Sequence, residues 1–313
     1  PRAKNKTARK KLLRRVRRQR LKYITILPSL VTILNGICGF TAIVFTSKGS
    51  ELSPGGFSYF SMSGYMVVLA MIADMLDGRL ARMNQSTSSF GGQLDSLCDI
   101  ISFGVAPAFL MLKVLEHKLS GFAGFNPTIE TFIERFIWVT AAGYISCAAI
   151  RLARFNVENE EDESAHMSFI GLPTPAAAGV LVSLVILHQD TVQTIPKLDV
   201  IIYALPFAAL GTAALMVSRL RYPHILNQYL RGKKPFAYLI RTLLLLAFIS
   251  WTSIQAALAL IFCSFAASSF VKWFYYKVIR NKNNIVSAAQ SALTSANKNQ
   301  ITSEENIGYK AEE

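Results

Sequence analysis

The sequence predicts an all-α, polytopic membrane protein, a helix bundle with a six-helix core and two extra spans at its C-terminal end. Hydrophobic residues make up 52% of the 313 residues, and the mean hydropathy is +0.34. Apolar runs of about 20 residues, the length that a bilayer requires, recur along the chain. Short polar stretches separate these runs, so the pattern is that of an integral membrane protein rather than a soluble domain.

The chain divides into four parts by composition. Residues 1–22 form a basic juxtamembrane segment, 23–217 the core, 218–277 a basic loop with two additional spans, and 278–313 a polar tail predicted to be disordered. The core spans are predicted at about residues 23–45, 57–76, 90–112, 132–153, 169–188 and 200–217. The apolar part of 218–277 is about twice the length of one span, which predicts two helices.

The basic N-terminal segment carries 12 Lys/Arg and no acidic residue. Leu12, Leu13 and Val16 would form a weak apolar stripe on a helix, which favours a surface helix bound to anionic lipid. A disordered basic tail that only fixes the topology is an equal alternative. A nucleic-acid arm is disfavoured, because no aromatic residues alternate with the charges.

The charges of the loops predict the orientation. The N-terminal segment and the three loops on its side of the predicted bundle together hold 21 Lys/Arg, whereas the loops on the opposite side hold 4. By the positive-inside rule, both termini are cytoplasmic in an inner, cytoplasmic membrane. The four cysteines all fall in apolar segments without zinc-binding spacing, so they are interpreted as small hydrophobic residues.

The most informative stretch runs from Asp74 to Asp99 and reads DMLDGRLARMNQSTSSFGGQLDSLCD. Asp74 and Asp77 are three residues apart, and Asp95 and Asp99 are four apart, so each pair shares one face of a helix. The loop between the pairs is long enough to reverse the chain and bring all four carboxylates together. Acids next to a membrane span are costly and usually functional. The orientation predicted from the loop charges places these aspartates on the cytoplasmic side.

Four adjacent carboxylates repel one another unless cations neutralise them. Ligand sets made only of oxygen suit Mg²⁺, Mn²⁺ or Ca²⁺, and two such ions about 3.5–4 Å apart occur in phosphoryl-transfer sites. Small residues between the pairs let a bulky group approach the backbone, and an arginine there can bind a phosphate.

The run D-x2-D-G-x2-A-R-x8-G-x3-D-x3-D resembles the signature of the CDP-alcohol phosphatidyltransferase family. The resemblance implies two divalent cations, Mg²⁺ or Mn²⁺, and a homodimer. It makes Asp74, Asp77, Asp95 and Asp99 the metal ligands and Asp99 also the general base. The residues expected to bind a CDP-diacylglycerol substrate are Gly78, Ala81, Arg82, Ser88 and Gly91, with Ser29 and Thr32 on the first span. Ser29, Thr32 and Asn35 lie about one turn apart, and helix–helix hydrogen bonding is the alternative reading of these three.

Further segments narrow the resemblance. The motifs DSLCDIISFGVAPA, RLARFN and FIGLPTPAAAG resemble those of the membrane-embedded bacterial phosphatidylserine synthases. They imply that L-serine attacks CDP-diacylglycerol and that CMP is released. Arg151, Arg154 and Asn156 are then candidates for binding serine, with positive-inside anchoring as the alternative for the two arginines.

Two other functions remain open on the sequence alone. The same chemistry with glycerol 3-phosphate, inositol phosphate or choline as the acceptor would preserve the aspartate cluster. A divalent-cation transporter would use the acids as an ion pathway, although such acids tend to lie mid-membrane between repeats, and this chain has a single cluster near one face.

Overall fold

The computed structural model describes residues 29–83, 89–119, 127–161, 169–191, 199–222, 254–268, 270–271 and 275. The helices are α1 Ser29–Ser47, α2 Tyr59–Met83, α3 Ser89–Asp99, α4 Ala106–Leu119, α5 Pro127–Glu161, α6 Thr174–Thr191, α7 Val200–Val217 and α8 Ile254–Ser268. A π-helical turn, Ile100–Val105, joins α3 to α4. Two short antiparallel strands, β1 Phe169–Ile170 and β2 Arg221–Tyr222, pair with each other.

The prediction of an all-α membrane bundle is confirmed. Among the described residues, five helices are long and apolar enough to cross a bilayer, with α3 and α4 counted together as one. The remaining core helix, α6, has 18 residues with polar ends, and its middle is almost completely buried between α2 and α7. The predicted segments 1–22 and 278–313 and most of 218–253 lie outside the described residues.

Several helices are longer than the apolar runs that predicted them. The second span was expected to end near residue 76, but α2 continues to Met83. The fourth was expected over 132–153, whereas α5 has 35 residues, from Pro127 to Glu161. A helix of that length is about 52 Å long and exceeds the hydrocarbon core of about 30 Å. Because a helix continues into the polar headgroup region, the beginning of polar sequence does not mark its end.

Contacts between helices define which ends lie together. Asn35 meets Asp99 and Gly39 approaches Ser102, so α1 and α3 run parallel. Ser96 bonds Asn156 while Phe103 accepts from Tyr144, so α3 and α5 run antiparallel. The alternation places at one end of the bundle the beginnings of α1, α3 and α6 and the ends of α2 and α5.

Small residues allow α1 to lie close to α3. A Cβ added at Gly36 would lie 3.0 Å from the Cys98 Sγ, and one at Gly39 would lie 2.7 Å from the Ser102 Cα. Such small-residue contacts are typical of helix packing in membranes. The close approach also lets the Ser102 hydroxyl donate to the Asn35 carbonyl over 2.9 Å. The first helix is thereby fixed against the helix that carries the second aspartate pair.

The π-helical turn directly follows Asp99. Its last hydrogen bond runs from the Ala106 N–H to the Ile101 carbonyl. Pro107 has no N–H to donate to the Phe103 carbonyl, which instead accepts from the buried Tyr144 hydroxyl over 3.1 Å. Such π-helical turns inside longer helices are frequent at functional sites.

The segment before α6 is fastened to the end of α7. Besides the β1–β2 pair, the Gly171 N–H donates to the Leu220 carbonyl and the Leu172 N–H to the Leu215 carbonyl, over 2.8 and 3.0 Å. Gly171 has φ +83°, and a Cβ there would overlap the Met216 carbonyl oxygen, so only glycine fits. This connection fixes where α6 begins.

Contacts divide the chain into two units, Pro1–Ala266, which holds the bundle, and Ala267–Glu313, whose described residues are helical. All four cysteines are free; Cys38 and Cys98 are buried, and Cys147 and Cys263 are half-buried. Their role as small hydrophobic residues agrees with the sequence interpretation.

Candidate active site

Three of the four predicted carboxylates meet at one end of the bundle. One oxygen from each of Asp74, Asp95 and Asp99 lies within 4.8 Å of the other two, a group that could hold a metal ion. Asp74 lies on α2, and the other two lie one turn apart on α3. Asp99 is 6% exposed, and its two companions are half-buried. The sequence predicted that two antiparallel helices bring all four carboxylates to one point, and three of the four form the close group.

Asp77 belongs to the same end but not to the close trio. It is 5% exposed, it is hydrogen-bonded by Thr32 of α1, and it interacts electrostatically with Asp74 and Asp95. The first helix thus reaches both aspartate pairs, because Asn35, one turn after Thr32, donates from its Nδ2 to the Asp99 Oδ1 over 2.9 Å. Both α1 side chains are buried.

The site has acceptor oxygens in excess of donors. The Asp77 Oδ2 and the Asp95 Oδ1 are buried, and no described residue supplies a hydrogen bond to either atom. Buried polar atoms are normally paired, and a carboxylate left unpaired among other carboxylates is strongly destabilising. A divalent cation bound by these oxygens would satisfy them and neutralise the repulsion between the carboxylates. A set of carboxylate oxygens suits Mg²⁺ or Mn²⁺ as the metal.

A buried arginine on α5 lies beside the aspartate cluster. Arg151 of α5 is 9% exposed and interacts electrostatically with Asp74 and Asp99. Its Nη1 donates to the Thr174 Oγ1 over 3.0 Å, and its guanidinium carbon lies 5.4 Å from the centre of the Phe155 ring. A guanidinium held in this way offers a fixed cation beside the acidic cluster.

The other predicted serine-binding residues are placed differently. Arg154 is half-buried on α5. Asn156 exchanges hydrogen bonds with the Ser96 hydroxyl over 2.9 and 3.1 Å, which ties the end of α5 to α3. Of the three candidates, Arg151 alone is buried beside the aspartates.

The residues predicted to bind CDP-diacylglycerol are described in part. Gly78 follows Asp77 directly, and a Cβ built on it would meet no described atom within 4 Å, so its outer side is open. Gly91 is half-buried near the start of α3, and Ser29 is half-buried at the start of α1. The side chains of Ala81 and Arg82, and all of Ser88, lie outside the described residues.

Two residues of the site were not assigned from the sequence. Asn35 was recognised only as part of a polar stripe, and Thr174 was not singled out within its proline-flanked segment. Each acts across the bundle, because Asn35 contacts Asp99 and Thr174 contacts Arg151. Spacing along one helix carries no information about such contacts, and a polar side chain in an otherwise apolar helix was the available signal.

Comparisons with known proteins agree with this geometry. Residues 25–218 match the family model described as CDP-alcohol phosphatidyltransferase. The chain is 32% identical over 262 residues to the CDP-diacylglycerol–serine O-phosphatidyltransferase of Helicobacter pylori (strain ATCC 700392 / 26695), covering 82% of this chain and 96% of the relative. A protein of the same name from Methanocaldococcus jannaschii is 30% identical over 252 residues, covering 80% and 96%. Another from Bacillus subtilis (strain 168) is 29% identical over 201 residues, covering 63% and 90%.

Proposed function

Because the chain belongs to the CDP-alcohol phosphatidyltransferase family, we propose that it transfers the phosphatidyl group of CDP-diacylglycerol to L-serine. The serine hydroxyl attacks the phosphorus that carries the diacylglycerol, the bond from this phosphorus to the CMP phosphate breaks, and CMP leaves. The observation that carries the proposal is the meeting of Asp74, Asp95 and Asp99 beside a buried arginine. The names of the relatives support serine as the acceptor.

In this mechanism Asp99 accepts the proton of the attacking hydroxyl. Its Oδ1 is held by the Asn35 amide, so the orientation of the carboxylate is fixed before substrate binds. Asp99 is buried, with 6% of the residue exposed, and this burial limits the access of water that would compete with the acceptor alcohol. A base positioned in this way contributes on the order of 10²–10⁴ to the rate.

The other aspartates would hold the metal. Asp74, Asp77 and Asp95, together with Asp99, supply the ligand oxygens for two Mg²⁺ or Mn²⁺ ions, and the unpaired oxygens of Asp77 and Asp95 support this assignment. When bound, the ions neutralise the diphosphate and the charge that develops on the leaving CMP. Thr32 and Asn35 keep the carboxylates oriented through their hydrogen bonds.

The lipid nucleotide would lie over the open side of Gly78. The absence of a Cβ there leaves room next to Asp77 for a flat or bulky group. Ala81, Arg82, Ser88, Gly91, Ser29 and Thr32 complete the proposed CDP-diacylglycerol site. Arg151 would bind the serine carboxylate, with Arg154 and Asn156 nearby on the same helix end.

The location and partners belong to the same proposal. The charge asymmetry of the loops supports cytoplasmic termini and a site at the cytoplasmic face of the inner membrane. The basic segment 1–22 would bind anionic lipid, and the family resemblance supports a homodimer.

The experiment that tests the function is an acceptor comparison. The purified protein is incubated with CDP-diacylglycerol, Mn²⁺ and one alcohol at a time, and CMP release is measured. Release with serine alone is expected. Release with glycerol 3-phosphate, inositol phosphate or choline would keep the chemistry and overturn serine as the acceptor. No release with any alcohol would overturn the proposal itself.

A further inference from the structure

The first turn of α6 carries a hydroxyl group, that of Thr174, to which the sequence motifs assign no role. Thr174 is fully buried, with 0% of the residue exposed, and accepts a hydrogen bond from the Arg151 Nη1 over 3.0 Å. These residues are 23 positions apart and lie on different helices, so the contact exists only in the folded bundle. A buried hydroxyl paired with a buried guanidinium is a charge-assisted contact, the stronger kind of hydrogen bond.

Two prolines, Pro173 and Pro175, flank Thr174 at the start of α6. The Pro173 carbonyl accepts the Ala177 N–H over 3.0 Å, which makes Pro173 the residue that precedes the first helical turn. A proline there has no side-chain oxygen to cap the helix, and Pro175 has no N–H that needs one. Thr174 is the first helical residue, and its hydroxyl meets Arg151 of the neighbouring helix α5.

The backbone before α6 is held firmly enough to transmit this position. Gly171 and Leu172 are hydrogen-bonded to the end of α7, and the φ of +83° at Gly171 turns the chain into the helix. Since Thr174 is only two residues further on, its Oγ1 has little freedom relative to the bundle. The partner guanidinium is confined on another side by the Phe155 ring, 5.4 Å away.

We propose that Thr174 is a positioning residue for acceptor binding, which fixes the plane of the Arg151 guanidinium so that it meets the carboxylate of the acceptor. The inference rests on the proposed function and adds a residue to it. A guanidinium binds a carboxylate through two parallel N–H groups, and this geometry depends on the orientation of the plane. Thr174 acts through Arg151 and does not touch the reacting atoms.

The test is the Thr174→Val variant, which keeps the shape of the side chain and removes the hydroxyl. The KM for serine should rise about tenfold, the loss typical of one charge-assisted hydrogen bond, while the KM for CDP-diacylglycerol stays within about twofold. Thr174→Ser retains the hydroxyl and should keep the KM for serine near the wild-type value. Thr174→Ala, measured in parallel, separates the missing hydroxyl from any misfit of the valine methyl.

Thr140 supplies the matched control. It is also buried in a membrane helix, α5, and no described residue hydrogen-bonds its Oγ1. Thr140→Val therefore removes a hydroxyl without removing a contact of the site, and both KM values should stay unchanged.

A second check combines Arg151→Lys with Thr174→Val, because the effects of residues that act as one unit are not additive. Once the guanidinium is gone, the valine should raise the KM for serine no further.

The outcomes separate this inference from the proposed function. Wild-type protein that releases no CMP with serine would overturn both. Serine-dependent release with an unchanged KM for serine in Thr174→Val and Thr174→Ala would overturn the positioning role alone. A rise in the KM for CDP-diacylglycerol instead would assign Arg151 to the diphosphate, and an equal loss in Thr174→Ser would reduce Thr174 to helix packing.

Discussion

At one end of the bundle aspartates crowd together with oxygens unpaired, whereas at the other end Asp190 and Asp199 lie among hydrogen-bond donors. The Asp190 carboxylate accepts from Ser61 and Tyr65 of α2, over 2.6 and 2.8 Å, and from Gln255 of α8, over 3.2 Å. Asp199 pairs with Lys118 and with the His188 Nε2, each over 2.9 Å.

The comparison shows that neighbours decide what an acid does in a membrane protein. At the Asp190 end, donors from two helices, α2 and α8, satisfy one carboxylate of α6 and so join the three helices. At the Asp99 end, the carboxylates face one another; hydrogen bonds reach them from Thr32 and Asn35 of α1, and Arg151 of α5 adds a positive charge nearby. The first arrangement stabilises the fold by itself, whereas the second would become favourable on binding of cations.

The largest expected difference between the two ends is in turnover. Asp99→Asn removes the proposed base with little change of shape, so CMP release should fall by about 10²–10⁴. Asp190→Asn, the same substitution at the opposite end, should leave turnover per folded molecule near the wild-type value. Near-normal release by the Asp99 variant, or an equal loss in the Asp190 variant, would contradict this assignment.

Thermal stability should change in opposite directions at the two ends. In EDTA, Asp95→Asn removes one of several repelling charges and should raise the melting temperature in detergent. Asp190→Asn weakens the hydrogen bonds from Ser61 and Tyr65 and should lower the stability by about 1–3 kcal/mol. Melting curves recorded in the same detergent measure both effects.

Added metal should sharpen this difference. If Mn²⁺ or Mg²⁺ binds the folded protein at this cluster, it should raise the melting temperature of the wild type and of Asp190→Asn, and less that of Asp95→Asn. EDTA should stop CMP release and added metal should restore it. Turnover that is insensitive to EDTA, or metal stabilisation that is undiminished in Asp95→Asn, would argue against a metal held by these carboxylates.

Two glycines on the site side permit a third, smaller contrast. A Cβ at Gly39 would lie 2.7 Å from the Ser102 Cα, whereas one at Gly78 would meet no described atom within 4 Å. Gly39→Ala should therefore separate α1 from α3 and reduce the amount of folded protein. Gly78→Ala should fold normally but raise the KM for CDP-diacylglycerol several-fold. Detergent size-exclusion profiles together with KM measurements distinguish the two, and an unaffected lipid KM in Gly78→Ala would exclude this glycine from the lipid site.

Local patterns predicted most of the bundle and part of the site. The last core span was predicted over 200–217, and α7 has those bounds, because apolar sequence ends sharply on both sides. The spacing within each aspartate pair, together with the loop long enough to reverse the chain, predicted that Asp74 meets Asp95 and Asp99, since helical periodicity fixes the face on which each residue lies. These features depend on patterns within one helix or between two helices that are consecutive in the chain.

What depended on contacts between distant residues was not predictable in this way. Asn35 and Asp99 are 64 positions apart, and the packing of α1 on α3 through Gly36 and Gly39 brings them together. Within the π-helical turn after Asp99, the Phe103 carbonyl accepts from the Tyr144 hydroxyl of another helix, 41 positions away. No periodicity along one helix encodes either arrangement.

The smallest expected effect concerns Asp199 and its dependence on pH. Hydrogen bonds from His188 and Lys118 lower the pKa of Asp199 below its ordinary value of about 4. A carboxyl with a lowered pKa contributes stability above its ordinary pKa, and this contribution is lost as the pH falls through the lowered value. Its side chain is 39% exposed, so Asp199→Asn should cost less than about 1 kcal/mol at pH 7.

The difference in melting temperature between Asp199→Asn and the wild type should shrink as the pH is lowered from 7 to below about 4. Lys118→Gln serves as the matched control, because it removes a partner of the same pair and should lose its effect over the same range. A deficit that persists unchanged at acidic pH would mean that the shape of the side chain, rather than its charge, stabilises this end. Asp199 would then contribute through neutral hydrogen bonding, and the contrast with the aspartate cluster would rest on Asp190 alone.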